Sequence, residues 1–299
     1  MPSKYINPYT DFGFKKLFGE EGSKNLLSDF LNTLLPQEHQ ITMLTFRNPD
    51  VLGDHAEDRR AVFDIYCENA EKEHFIVEMQ KAEQEYFKDR SVFYSTHPIR
   101  NQAPKGKWNY ELKAVYFIGV LDFIYDESVD NAVLIRDASL KDQFGKEFYK
   151  KLHYIFLQMP VFSLQENELK THQDKWLYFL KHLPSFDFIP QILNEPIFQE
   201  AFHTAEIAAM SPEEQEVYDQ SQKDYWSYLA TIETAEKKGR AEGFAEGLAE
   251  GEAKGKAEGL AAGEAKGKAE VARNMKKKGL DSAMISEITG LSIADIEKL

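Results

Sequence analysis

Two neighbouring stretches constrain the fold of this chain more than any other feature: AVFDIYCEN at 61–69 and HFIVEMQKA at 74–82. Both alternate and are rich in β-branched and aromatic residues, and the polar segment from Asn69 to Glu73 separates them, so they predict an antiparallel hairpin. With the turn centred on Glu71, positions whose numbers sum to 142 face each other, which sets Asp64 across from Glu78.

Side chains alternate along a strand. That assigns Phe63, Ile65, Cys67, Phe75, Val77 and Met79 to one face, and Asp64, Glu78 and Gln80 to the other. Like charges directly across a ladder cost a few tenths to about 1 kcal/mol. A divalent cation is the simplest compensation, and hard oxygen donors without a local His or Cys set favour Mg2+ or Mn2+ over zinc. The same residues also suit a half-exposed hairpin whose wet face happens to carry carboxylates.

An acid followed on the next strand by an E-x-Q triplet resembles the core of the PD-(D/E)XK nuclease superfamily. The longer pattern comprises TDFGFKKLFG at 10–19, the hairpin, DRSVFYSTHPIRNQAPKGKWNY at 89–110 and KAVYFIGVLDF at 113–123. It resembles the Rpn-type recombination-promoting nucleases, also described as PD-(D/E)XK family transposases, over the first half of the chain and again in a glycine-repeat tail. The resemblance implies an α/β fold, a mixed sheet flanked by helices with a C-terminal helical extension. It also implies a divalent-metal-dependent DNA endonuclease associated with recombination or mobile DNA.

Carried onto this sequence, the resemblance makes Asp64 and Glu78 the metal holders, with the Met79 backbone carbonyl as a further ligand by analogy, and has Gln80 orient water or phosphate. Hydrolysis of a phosphodiester needs an activated water and neutralisation of charge on the phosphate and leaving oxygen, tasks that one or two bound cations perform. The commonest third residue of the superfamily is lysine. Gln80 has no charge and cannot act as a base, so the water-activating group is unassigned; Lys81 follows it but points to the opposite face.

Two further candidates lie outside the hairpin. Asp11 opens a helical pattern of Phe14, Leu17, Phe18, Leu26, Leu27, Phe30 and Leu31 that Gly19 and Gly22 interrupt. It either caps backbone N–H groups, a role worth roughly 1 kcal/mol, or, as the resemblance allows, reaches the metal site. After the hairpin, residues 83–102 read as a helix carrying Tyr86, Arg90 and Tyr94 at i, i+4 spacing. Arg90 either grips a phosphate with its planar fork or pairs with a nearby acid.

The runs at 113–123, 132–139 and 152–162 add strands, about five in all with the hairpin, and 175–183 and the two stretches after it read as helices, giving an α/β sandwich. At 299 residues with 42% hydrophobic and 13% aromatic content, the chain can bury a sizeable core. Cys67 is the lone cysteine, so no disulfide framework or cysteine metal site is available. No run approaches the roughly 20 apolar residues that cross a bilayer, and MPSKYINPYTDFGF has no apolar signal core. The expectation is a cytoplasmic protein with no membrane partner.

A net charge of −14 opposes simple DNA binding. Residues 237–278 carry 11 Lys+Arg against 7 Asp+Glu, a balance of +4, which leaves −18 elsewhere. Either a local basic patch forms the DNA groove, or metal and tail supply the attraction.

Three segments follow from composition and pattern: a nuclease domain at 1–235, a repeat at 236–270 and a small helical segment at 271–299. Glycine recurs at every fourth residue from Gly239 to Gly267. Such a period advances about 40° per step on an α-helix, so the stripe winds around a straight helix or coils helices right-handedly. Each interior glycine costs about 1 kcal/mol relative to alanine. The stripe suits either a self-associating helix, which implies a homo-oligomer, or a flexible linker. Beyond it, Gly279 and Gly290 divide three short helical stretches, with Asp281 and Ser292 as caps and Met284, Ile285, Ile288, Leu291, Ile293, Ile296 and Leu299 as the apolar face. This reads as helix-turn-helix-like, with Lys276 to Lys278 available to phosphate, or as a helical hairpin closing an oligomer, since the second helix lacks base-reading side chains.

Two readings from other classes stand beside the nuclease. One is a catalytically inactive nuclease fold that binds nucleic acid or protein; the other is an oligomerising partner protein whose function resides in the tail.

Overall fold

The hairpin forms in the register that Glu71 sets. The computed structural model describes residues 3–51, 61–82, 84–104, 106–125 and 133–299. Its strands are β1 (Leu44–Phe46), β2 (Asp50–Val51), β3 (Ala61–Val62), β4 (Ile65–Asn69), β5 (His74–Gln80), β6 (Val115–Leu121), β7 (Ile135–Lys141) and β8 (Glu147–Gln158). β4 and β5 pair antiparallel with Ile65 opposite Val77 and Cys67 opposite Phe75. The turn is held by Asn69, whose amide oxygen accepts the Glu73 N–H at 2.9 Å, and by Lys72 at φ 65°.

Two units make up the chain, Met1–Trp226 and Ser227–Leu299. In the first, a six-stranded mixed sheet runs β1-β4-β5-β6-β8-β7. β6 is parallel to both β5 and β8, and the remaining pairs are antiparallel. The five strands expected from the sequence are all present, and the short edge strand β1 adds a sixth. Two positions at the starts of expected elements, Ala132 and Glu83, lie outside the described residues.

The helices of this unit are α1 (Asp11–Phe18), α2 (Lys24–Asn32), α3 (Phe87–Asn101), α4 (His172–His182), α5 (Pro196–Thr204) and the first turns of α6 (Pro212–Lys277). α3 connects parallel β5 and β6, the crossover that parallel pairing requires. It buries Phe87 in a cluster with Phe63, Tyr66, Ile76, Phe117, Leu121 and Phe156. A second aromatic core surrounds Trp176 of α4, with Phe18, Phe30 and Phe198 at ring-centroid distances of 5.8, 5.8 and 5.0 Å.

The hairpin is not the half-exposed alternative that the same residues suited. Every residue of β4 is buried, and so is every residue of β5 after His74, so both faces are covered and no wet face remains. Phe63 also changes sides. Alternation grouped it with Ile65 and Cys67, yet it packs with Tyr66 and Ile76, because the strand breaks at Phe63–Asp64 and the alternation restarts at Ile65.

In the second unit α6 continues to Lys277 and contains all eight repeat glycines; a Cβ added at any of them would meet nothing within 4 Å. α7 (Ser282–Thr289) is capped by Asp281, α8 (Ile293–Glu297) by Ser292, and Gly290 takes φ 71° between them. Ala272, Ile285 and Ile296 form the buried core. Met284, Ile288 and Ile293 of the expected apolar face are instead about half exposed, because two short helices laid against one stem can bury only one side each. Lys276 donates to the carbonyls of Ile296 and Glu297 at 3.1 and 3.0 Å, which engages one of the three lysines assigned to phosphate. Among the described residues no helix is long and apolar enough to cross a membrane.

Candidate active site

The acid pair sits where the β4–β5 ladder stops. The last ladder pair is Ile65 with Val77, and Asp64 lies in the bend just before β4. Asp64 and Glu78 therefore do not face each other across a ladder rung, as the register alone implied. Each carboxylate instead holds backbone on the opposite segment. The Asp64 N–H donates to Glu78 Oε1 at 3.1 Å, and the Met79 N–H donates to Asp64 Oδ2 at 2.8 Å.

Gln80 and Arg90 complete this group. Gln80 Nε2 donates to Glu78 Oε2 at 3.0 Å, and the Arg90 guanidinium lies 3.5 Å from the same oxygen. Arg90 also donates to Gln84 Oε1 at 2.8 Å and rests over the Tyr94 ring, so α3 delivers it through the i, i+4 stripe that the sequence displays. Gly119 faces Glu78 across the β5–β6 ladder. A Cβ there would lie 3.1 Å from Phe156 Cδ1, so the Phe156 ring occupies the space beside Glu78 that a side chain would fill. Lys81 turns away as expected, over the ring of Tyr225.

Burial and like charge set the electrostatics. Glu78 is 3% exposed, and its carboxyl is pushed up to about 8, first by burial and then by the Asp64 charge. Burial likewise raises Asp64, with the Asp11 charge adding to it, while the Met79 N–H, Lys15 and Arg90 pull it down. The pair thus retains a proton near neutrality, and a cation placed between the carboxylates would displace it.

Asp11 is not the cap. Thr10 is: its hydroxyl accepts the Gly13 N–H at 3.0 Å, leaving Asp11 as the first helical residue, paired with Lys15 one turn on at 3.0 Å. Its charge reaches Asp64 electrostatically, yet among the described residues no three His, Cys, Asp or Glu side chains come close enough together to hold a metal. Asp11 and Lys15 also line a cleft of about 900 Å³ between α1 and the start of α6, whose lining includes neither Asp64 nor Glu78. Lys15 is the residue that sequence reasoning missed; its signal was the i, i+4 spacing from Asp11.

The donors present fit Mg2+ or Mn2+. Such ions are commonly held by one or two carboxylates and keep several waters, so a third acid is not required. Asp64 and Glu78 provide the carboxylates, and the charge they cannot spread over water when buried is what a divalent ion would offset.

No curated protein and no solved structure matches the chain. A family model described as PD-(D/E)XK nuclease family transposase matches residues 8–235, which contain the whole sheet, α1 and every residue of the site just described, and the chain belongs to that family.

Proposed function

We propose that this chain is a divalent-metal-dependent DNA endonuclease acting in recombination or on mobile DNA. The observation that carries the reading is the Asp64–Glu78 pair, a half-buried acid and a buried one kept together at a strand end where burial disfavours their charge. Asp64 and Glu78 hold Mg2+ or Mn2+. The bound ion supplies an acidified water and neutralises charge on the scissile phosphate. Arg90 offers its guanidinium to a phosphate oxygen from the α3 side. Gln80 fixes one Glu78 oxygen through its amide N–H and orients water through its amide oxygen. Lys15 and Asp11 extend the charged surface from α1, and the Lys15 charge favours the ionised form of both acids.

The lone, buried Cys67 suits a reducing compartment, and we place the protein in the cytoplasm. The glycine stripe, open on all sides, suits homo-oligomerisation through α6.

Supercoiled plasmid at low salt, with Mg2+, Mn2+ or chelator, tests the reading. Metal-dependent nicking that is lost in both Asp64→Ala and Glu78→Ala supports it. Absence of cleavage, or cleavage surviving both substitutions, replaces it with a nuclease fold that binds without cutting.

A further inference from the structure

The β7–β8 ribbon runs on past the rest of the sheet. β6 pairs β8 only from Leu152 onward, whereas β7 and β8 continue pairing through Leu140–Tyr149 and Lys141–Glu147. The register shifts on either side of Leu140, where the ribbon parts from β6, and a bulge bends and re-aims a strand pair.

The tip is rigidly built. Asp142 Oδ1 accepts the N–H groups of both Phe144 and Lys146 at 2.9 Å, and Gly145 takes φ 77°. That carboxylate is spent on its own turn. What the ribbon presents outward is Phe144 at 84% exposure and Phe148 at 79%, among exposed Lys141, Lys146 and Lys150. From Leu140 to Lys151 there are four lysines against two acids, Asp142 and Glu147, in a chain whose net charge is −14. Lys151 donates to the Leu112 carbonyl at 2.7 Å, which ties the loop bearing Trp108 and the exposed Tyr110 to the ribbon's base.

Nucleic acid suits this combination. Lysines neutralise phosphates, exposed rings wedge against or stack on bases, and the major groove admits a two-stranded ribbon. Arm-to-arm pairing of two copies is disfavoured, because two such arms carry the same excess of positive charge. The distance also fits. Glu78 is level with Gly119 and, across β6, with Phe156. From there to Glu147, β8 runs at most about 30 Å at roughly 3.3 Å per residue, just under the roughly 34 Å of one duplex turn.

We propose that residues 140–150 form a DNA-gripping arm that contacts the duplex about one turn from the acid pair. The proposal rests on the nuclease reading of Asp64 and Glu78.

The test uses the full chain carrying Glu78→Gln and a labelled duplex of about four turns. Fluorescence anisotropy is measured at several salt concentrations, with sedimentation and a thermal melt of each protein. Lys141→Gln, Lys146→Gln and Lys150→Gln together should lower the slope of log affinity on log salt by about 2 to 3. Phe144→Ala with Phe148→Ala should weaken binding about tenfold or more, with both melts unchanged. Unaltered affinity and slope in both variants, in a protein that cuts DNA when Glu78 is intact, would overturn the arm and leave the nuclease reading standing. Altered sedimentation with unaltered DNA affinity would assign the surface to a second copy, and so also overturn it. Neither DNA binding nor cleavage by the unsubstituted chain would overturn both.

Discussion

One hairpin carries two glutamates, each 3% exposed, at its opposite ends, and the protein treats them differently. Glu68, on β4 near the turn, receives Arg47 at 2.5 Å and Lys72 at 2.6 Å. Although burial opposes its charge, those hydrogen bonds hold its carboxyl below the ordinary range. Glu78 has another acid for a neighbour and only a long contact to Arg90, and its carboxyl rises to about 8. Burial alone therefore does not mark a site. What distinguishes the Glu78 end is a second acid where Glu68 has two cations, so the cost of burial goes uncompensated there, the condition that invites a cation.

The sharpest way to break the comparison is to remove the acids. Asp64→Ala or Glu78→Ala should reduce metal-dependent plasmid nicking by on the order of a thousandfold or more, whereas Glu68→Gln should leave nicking within a few-fold at temperatures where the fold persists. A gel assay over time measures both.

Stability should move in opposite directions at the two ends. Glu78 keeps its proton in the folded chain while the unfolded chain releases it near 4.5, so metal-free stability is lost as pH rises from about 4.5 to about 8. Glu78→Gln should then stabilise the metal-free protein at pH 8 by roughly 1–3 kcal/mol and have little effect near pH 4. Glu68 has a depressed folded value, so its contribution is present above the unfolded value and disappears as pH falls through the folded one. Glu68→Gln should destabilise at neutral pH, as urea melts of both variants across pH would show.

At limiting Mg2+, cleavage should rise about tenfold per pH unit and level off near pH 8, because Glu78 must release its proton to hold the ion. Saturating Mg2+ should move that limb to lower pH. The smallest effect comes from making the two ends alike. Gln80→Lys places a cation beside Glu78, and the limb should shift about one unit towards acid while the maximal rate changes far less. An unshifted limb would separate Gln80 from the electrostatics of Glu78.

Local pattern explains what was legible beforehand. The register, the acid pair, the outward turn of Lys81 and the arrival of Arg90 on a helical stripe all follow from alternation and i, i+4 spacing. Other features depended on choices that only the folded chain makes. Thr10 and Asp11 are both good caps, and the hydroxyl rather than the carboxylate takes the Gly13 N–H. Phe63 changes sides because a strand break at Asp64 beats alternation, and a three-residue edge strand such as β1 is too short to show a period. Lys15 stands one turn from Asp11, a spacing visible in the sequence, but that its charge reaches Asp64 depends on where the folded chain sets α1.

The paired bonds that join Asp64 to the Glu78 side chain and the Met79 N–H carry one last implication. The side chain that would grip the ion is also the splint that closes the strand end, since Asp64 Oδ2 takes the N–H that a ladder carbonyl would otherwise take. Catalytic decay and fraying of this strand end are thus a single event: a descendant that loses the acid loses order at the same step, unless an asparagine keeps the acceptor. Inactive copies that stay well folded should therefore be found with Asn at this position far more often than with Ala or Gly.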